Sequence, residues 1–274
     1  MSRYWLGCAG WAYDDWVGPF YPPGTPPGEY LERYARVFRT VEVDSSFYRV
    51  PSRAQVQRWA EVTPEGFRFS LKVPKDATHP SGSADPLDSL SQFFDRVEPL
   101  RRTGKLGPVV FQFPASFRAR EAARLDTMLA AVPDGSSIAV ELRHGSWWTS
   151  ETRSLLTSRH AALVWSVIPN LEPPAWVTAD FLYARFVGDR ALTRFDGIQR
   201  DGRRDLEAMR ARFDQDGRLA TTVFAYSNNH FMGFGPATTA LLAEILGEPR
   251  PELAAAQRSR GQTRLGDSGP SAPD

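Results

Sequence analysis

The segment Val140–Trp148, VELRHGSWW, holds the densest group of chemically able side chains in this chain. Glu141 and Arg143 are two residues apart, so on an extended strand they face the same side. An ionised Glu inside a fold must be paired or near water, because burying a lone charge is costly. Arg143 could be that partner and brace the core, or Glu141 could be an acid, a base or a metal ligand. The segment Thr40–Pro51, TVEVDSSFYRVP, repeats the theme. Glu42 and Asp44 share a face, and Ser46, Phe47 and Tyr48 follow in the loop above. Glu42 could instead hold the fold through an ion pair with Lys72. Lys72 ends the run FRFSLK. It could act as an electrostatic clamp, a general acid or a Schiff-base amine with a pKa lowered by burial. His79 follows in the next loop, where it could carry protons or merely be solvated.

Arg185 precedes Gly188 in RFVGD. A guanidinium beside bare backbone suits a phosphate or carboxylate. Asn228 and Asn229 could donate to the same anion or cap the next helix. Trp11, Tyr13, Trp16 and Phe20 crowd one loop. They could stack on sugars or bases, or form a hydrophobic cluster over one end of the fold. Trp147 and Trp148 pose the same question. The four histidines are His79, His144, His160 and His230, and no HxH or HExxH pair exists. Glu42, Asp44, Glu141 and a His could still meet as a hard-ligand divalent metal site, although nothing in the sequence demands a cofactor. Cys8 has no adjacent base and reads as a small buried side chain. There is no P-loop, dinucleotide fingerprint or G-x-S-x-G elbow.

The apolar runs of this chain repeatedly end in a polar or charged residue. About eight such runs occur, closing on Cys8, Asp44, Lys72, Gln112, Arg143, Ser166, Arg185 and Asn228. Helix-like segments lie between most of them. That is the pattern of a parallel (β/α)8 barrel of the TIM type, whose strands are buried along their length and exposed at their carboxyl ends. Helices are expected over Glu29–Phe38, after Ser52, over Leu87–Arg102, Phe117–Ala131, Thr149–His160, Arg203–Phe213 and Pro236–Leu246. Two long loops, Gly10–Pro27 and Val73–Pro86, separate the first elements. Between Ser166 and Asp180, Pro169, Pro173 and Pro174 forbid a regular helix, so the crossover between strands six and seven is irregular. Residues 1–247 form the barrel domain, and 248–274 are expected to be a disordered tail.

The bulk numbers agree. The chain has 274 residues, and such barrels commonly occupy ~250. Charge is balanced, with 33 basic and 32 acidic residues, which argues against a dedicated duplex binder without excluding a local patch. One cysteine permits no intramolecular disulfide. No stretch approaches the ~20 apolar residues of a membrane helix. A cytoplasmic location is the expectation.

GCAGWAYDDWVGPFYP, VEVDSSFYRVP, FRFSLKVPKDATH, GPVVFQFP, VELRHGSWW, YARFVG and AYSNNH, in that order, resemble the domain of unknown function 72, or YecE-like, family. The resemblance covers about residues 4–245 and implies a TIM-type barrel without implying a reaction. It implies mouth residues at Glu42, Lys72, His79, Gln112, Glu141, Arg143, His144, Arg185 and Asn228. This chain departs where the family commonly has Asn-x-Thr, here Asp44 and Ser46, and where the sixth strand commonly ends in Asp, here Ser166. A catalytic role for that Asp in relatives would be altered or lost here.

The combined expectation is an enzyme, a hydrolase, lyase or isomerase, acting without a metal on a small anionic, phosphorylated or carbohydrate-like substrate. Glu141, Glu42, Lys72 and His79 would be catalytic. Arg143, His144, Arg185, Gln112, Asn228, Trp11, Tyr48 and Trp147 would bind. The alternatives are a non-catalytic protein for nucleotides or nucleic-acid ends, and a metal-dependent hydrolase with carboxylate ligands.

Overall fold

The computed structural model describes residues 4–79 and 85–254. Its strands are β1 (Tyr4–Ala9), β2 (Thr40–Val43), β3 (Arg68–Lys72), β4 (Leu106–Gln112), β5 (Ile138–Glu141), β6 (Ala161–Val167), β7 (Phe181–Phe186) and β8 (Thr222–Ser227). Each pairs in parallel with its chain neighbours, and β1 pairs with β8, so the sheet closes in sequence order. The helices are α1 (Tyr30–Tyr34), α2 (Arg53–Val62), α3 (Lys75–Thr78), α4 (Pro86–Arg102), α5 (Ala122–Ala130), α6 (Ser150–Ser158), α7 (Arg203–Gln215), α8 (Asn229–Met232) and α9 (Gly235–Leu246). This is a TIM-type (β/α)8 barrel.

Side-chain alternation sorts the strands into two cores. Phe69, Leu71, Val109, Phe111, Val140 and Leu163 pack outward among the helices. Val110, Ala139, Ala162, Val164, Tyr183, Phe224 and Tyr226 fill the interior. Moving two residues along each strand from this interior layer reaches Gln112, Glu141, Ser166 and Arg185. The same step from interior Thr40 and Ser70 reaches Glu42 and Lys72. All six therefore point into the barrel at its carboxyl end.

Close backbone approach fixes the first strands. A Cβ on Gly7 would lie 2.2 Å from the Thr40 carbonyl oxygen. The buried Tyr34 hydroxyl donates to that same oxygen at 2.9 Å and accepts from the Cys8 N–H at 2.8 Å. One side chain of α1 thus links β1 to β2. Lys105, just before β4 at the amino end of the barrel, donates to the Ala60 and Thr63 carbonyls at 2.6 Å each at the end of α2.

The crossover from β6 to β7 is irregular, as its prolines require. It still serves β6, since the Thr178 hydroxyl donates to Ala161 O at 2.6 Å and accepts from Leu163 N–H at 3.0 Å. Three expected elements differ. The first helix stops at Tyr34 rather than Phe38. The helix expected from Phe117 starts at Ala122, because Phe117 turns back to stack on Phe113 and Trp147, at 4.2 and 5.1 Å between ring centroids. The loop after β3 contains the single helical turn α3. Of the expected tail, residues 255–274 lie outside the described residues, while Leu253 packs against the helical core. Among the described residues no helix is long and apolar enough to cross a membrane.

Candidate functional site

Arg185 is the centre of the mouth. It is 3% exposed, and both edges of its guanidinium are occupied. Nε and Nη2 donate to Glu42 Oε1 at 3.1 and 2.7 Å. Nη2 also reaches Asp44 at 3.1 Å, and Nη1 reaches Glu141 Oε2 at 2.5 Å. Arg143 closes on the other oxygen of Glu141 at 2.5 Å. Gln112 is a shared acceptor: its Oε1 receives Lys72 Nζ at 2.7 Å, Arg143 at 3.1 Å and Arg185 at 3.2 Å. That leaves the amide nitrogen of Gln112 available as a donor. Lys72, Arg143 and Arg185 thus face Glu42, Asp44 and Glu141, three charges against three.

The three carboxylates are not equivalent. Burial raises the pKa of Glu42, and Arg185 offsets this only in part, so it stays above its usual value. Burial also acts on Glu141, but Arg185, Arg143 and Lys72 outweigh it and hold the group at about 2. At Asp44 burial is likewise outweighed, by Lys72 and Arg185, and the pKa falls below the usual range. Asp44 is the most open of the three, with 27% of its side chain exposed against 0% for Glu42 and 1% for Glu141.

A cavity of about 320 Å³ opens above this cluster, at the small end of the ~300–1,000 Å³ typical of ligand sites. Asp44, Lys72, Gln112, Arg143 and Arg185 form its floor. Tyr13, Tyr48, Arg190, Phe195, Asn228 and His230 contribute to its walls. Glu42 and Glu141 lie beneath the floor and do not line it.

The expected Glu42–Lys72 pair is not formed. Register explains the correction: Glu42 pairs with Ser70, so Asp44, two residues on, stands level with Lys72. Lys72 meets Asp44 at 3.2 Å. Glu42 takes Arg185 and the Tyr183 hydroxyl, the latter at 2.7 Å. The expected Glu141–Arg143 pair does form. Each carboxylate grouped as a possible metal ligand already holds a cation of the chain itself.

Other expected site residues lie apart. His79 packs edge-on against Phe47 at 5.2 Å and lies outside the cavity lining. Burial first, then Arg143, Lys75 and Lys72, lower its pKa to about 4, so it is neutral at physiological pH. His144 caps the turn after β5 and meets Arg118. Trp147 is fully buried, donating to Phe117 O at 2.9 Å. Trp11 packs against Trp59 and Phe69, between barrel and helices. Trp16, Phe20 and Tyr21 form the hydrophobic cluster allowed as the alternative. Asn228 caps α8 through His230 N–H at 3.0 Å while also facing the cavity. Gly188 packs closely on the chain, since a Cβ there would lie 2.2 Å from the His230 carbonyl oxygen. Cys8 is buried, with its pKa pushed up to about 12 by burial.

Sequence reasoning missed Arg190 and Phe195 as cavity residues, and it carried Tyr13 only as one of four aromatics that either stack on a ligand or pack, and His230 only as one of four histidines. His230 Nδ1 lies 2.9 Å from Leu192 O. A carbonyl only accepts, so Nδ1 carries the proton and Nε2 is left without it in the neutral ring. The one available signal was chain position, since Arg190, Phe195 and His230 follow β7 or β8.

The profile described as protein of unknown function DUF72 matches residues 5–263. The chain belongs to the DUF72 family. The Escherichia coli protein YecE, of the group UPF0759, is 30% identical over 171 residues, 62% of this chain and 60% of YecE. The matched stretch thus spans less than two thirds of that relative. The crystal structure of a DUF72 protein from Thermotoga maritima superposes with a TM-score of 0.76 at 27% identity, covering 90% of this chain and 100% of the other. Outside DUF72, D-psicose 3-epimerase from Clostridium cellulolyticum gives a TM-score of 0.50 at 10% identity, covering 93% and 96% of the two chains, a likeness of fold alone.

Proposed function

We propose that this DUF72 protein is an enzyme that binds a small anionic, phosphorylated or carbohydrate-like molecule in the mouth cavity and acts on it by acid/base chemistry. The observation that carries the reading is the convergence of Lys72, Arg143 and Arg185 on the Gln112 oxygen directly under the cavity. Preorganised donors of this kind stabilise developing negative charge without reorganising. Asp44 is ionised and the most open of the three carboxylates, which places it to accept a hydrogen bond or a proton from the ligand, and Lys72 beside it is placed to donate one. Glu42 and Glu141 act as positioning residues by fixing Arg185 and Arg143. Tyr13, Tyr48 and Phe195 offer ring faces to an apolar side of the ligand.

A thermal-shift screen against sugar phosphates, sugar acids, nucleotides, organic acids, short oligonucleotides and divalent cations tests this. The reading expects a metabolite that raises Tm by mass action, with the shift lost in Lys72→Met. Shifts from divalent cations or oligonucleotides alone would overturn it in favour of the metal-dependent or nucleic-acid-end readings.

A further inference from the structure

The cavity floor is charge-balanced, but one cation on its wall is not. Arg190 lines the cavity from the loop after β7, and among the described residues no carboxylate pairs with it. Neighbouring charges of that loop are engaged, Asp189 with Arg200 at 2.9 Å and Arg194 with Asp196. Arg190 also has φ of 64°, in the left-handed region that non-glycine residues rarely adopt. His160 and Asn170 share that conformation without lining the cavity. The loop holds Arg190 in place. The Ala191 N–H donates to the Asp189 carboxylate at 2.9 Å, and Gly188 packs against the backbone of His230. Such enforced outliers concentrate at ligand clamps. His230, with Nε2 free of protein partners among the described residues, stands on the same wall. Barrels of this type frequently bind phosphate at the loops after strands seven and eight, and both residues come from there.

We infer that Arg190 anchors an oxyanion subsite that takes the phosphate or carboxylate group of the ligand, while the unprotonated Nε2 of His230 on the same wall accepts from a ligand hydroxyl. The neutral floor then faces the hydroxyl-bearing remainder. The inference rests on the mouth-cavity reading and assigns where the ligand's charge goes: to the β7–β8 wall, across the barrel from Lys72 and Arg143. A planar guanidinium fork matches either oxyanion.

The probes are inorganic phosphate and acetate at matched ionic strength, followed by thermal shift in wild type, Arg190→Gly, Arg190→Lys and Lys72→Met. Glycine suits the left-handed backbone, so Arg190→Gly is expected to fold as well as wild type. The expected result is a Tm that climbs with anion concentration in wild type. The midpoint moves at least tenfold in Arg190→Gly, returns in part in Arg190→Lys and moves by less in Lys72→Met than in Arg190→Gly. A response to phosphate alone supports a phosphoryl-bearing ligand, and to acetate alone a carboxylate. No response in wild type, or an equal one in Arg190→Gly, overturns the subsite. So does a response lost only in Lys72→Met, which would place the anion on the floor and leave the enzyme reading intact. An intact subsite with no metabolite dependent on Lys72 would instead overturn the enzyme reading alone.

Discussion

At the scale of residues, the mouth is governed by how one buried arginine divides itself among three carboxylates. Glu141 is held at about 2 by its cations, against an ordinary value of 4.5. A folded-state pKa below the unfolded one contributes stability that is present above pH 4.5 and lost as pH falls toward 2. Glu141→Gln is therefore expected to cost about 3 kcal/mol at neutral pH, because Arg185 and Arg143 both lose a partner. Its stability should also fall less steeply below pH 4.5, as urea titrations at several pH values would show. Glu42→Gln should cost markedly less, since burial already disfavours the charged form of Glu42; an equal or larger loss would refute the asymmetry. Cys8, its thiol pushed up to about 12, should resist iodoacetamide at pH 8 until the protein unfolds. Same-face spacing made the Glu141–Arg143 pair readable in the sequence. The partner of Lys72 was not, because two carboxylates share its neighbour's face and only the β2–β3 register ranks them.

At the scale of elements, the strands were far more legible than what connects them. Buried parallel strands are unbroken apolar runs, and FLYARF matches β7 residue for residue. The proline-ruled crossover was equally visible. Loop tertiary contacts carry no periodic signature, so the fold-back of Phe117 and the wall formed by Arg190, Phe195 and His230 were not. The close β1–β2 approach gives a sharp test. Gly7→Ala puts a Cβ 2.2 Å from a backbone oxygen and should cost about 2 kcal/mol or more. Gly28, with open space around it, should accept Ala within about 0.5 kcal/mol. Chemical denaturation of the two variants compares them directly, and equal effects would contradict the register described.

At the scale of the molecule, the closed barrel gathers onto one ring residues spread from Tyr13 to His230. Acidic and basic residues nearly cancel over the chain, and they cancel again on the cavity floor. Specific recognition therefore falls to geometry at the mouth rather than to overall charge. The central claim is that this cavity, above the Glu42–Arg185–Glu141 cluster, is where the ligand sits. Calorimetric titration of the strongest metabolite from the screen into wild type and Lys72→Met, with Tm recorded for both, tests it most directly. Affinity at least tenfold weaker in Lys72→Met, with Tm within a few degrees of wild type, is the predicted result. Equal affinity in the two proteins would place the ligand elsewhere and contradict the account.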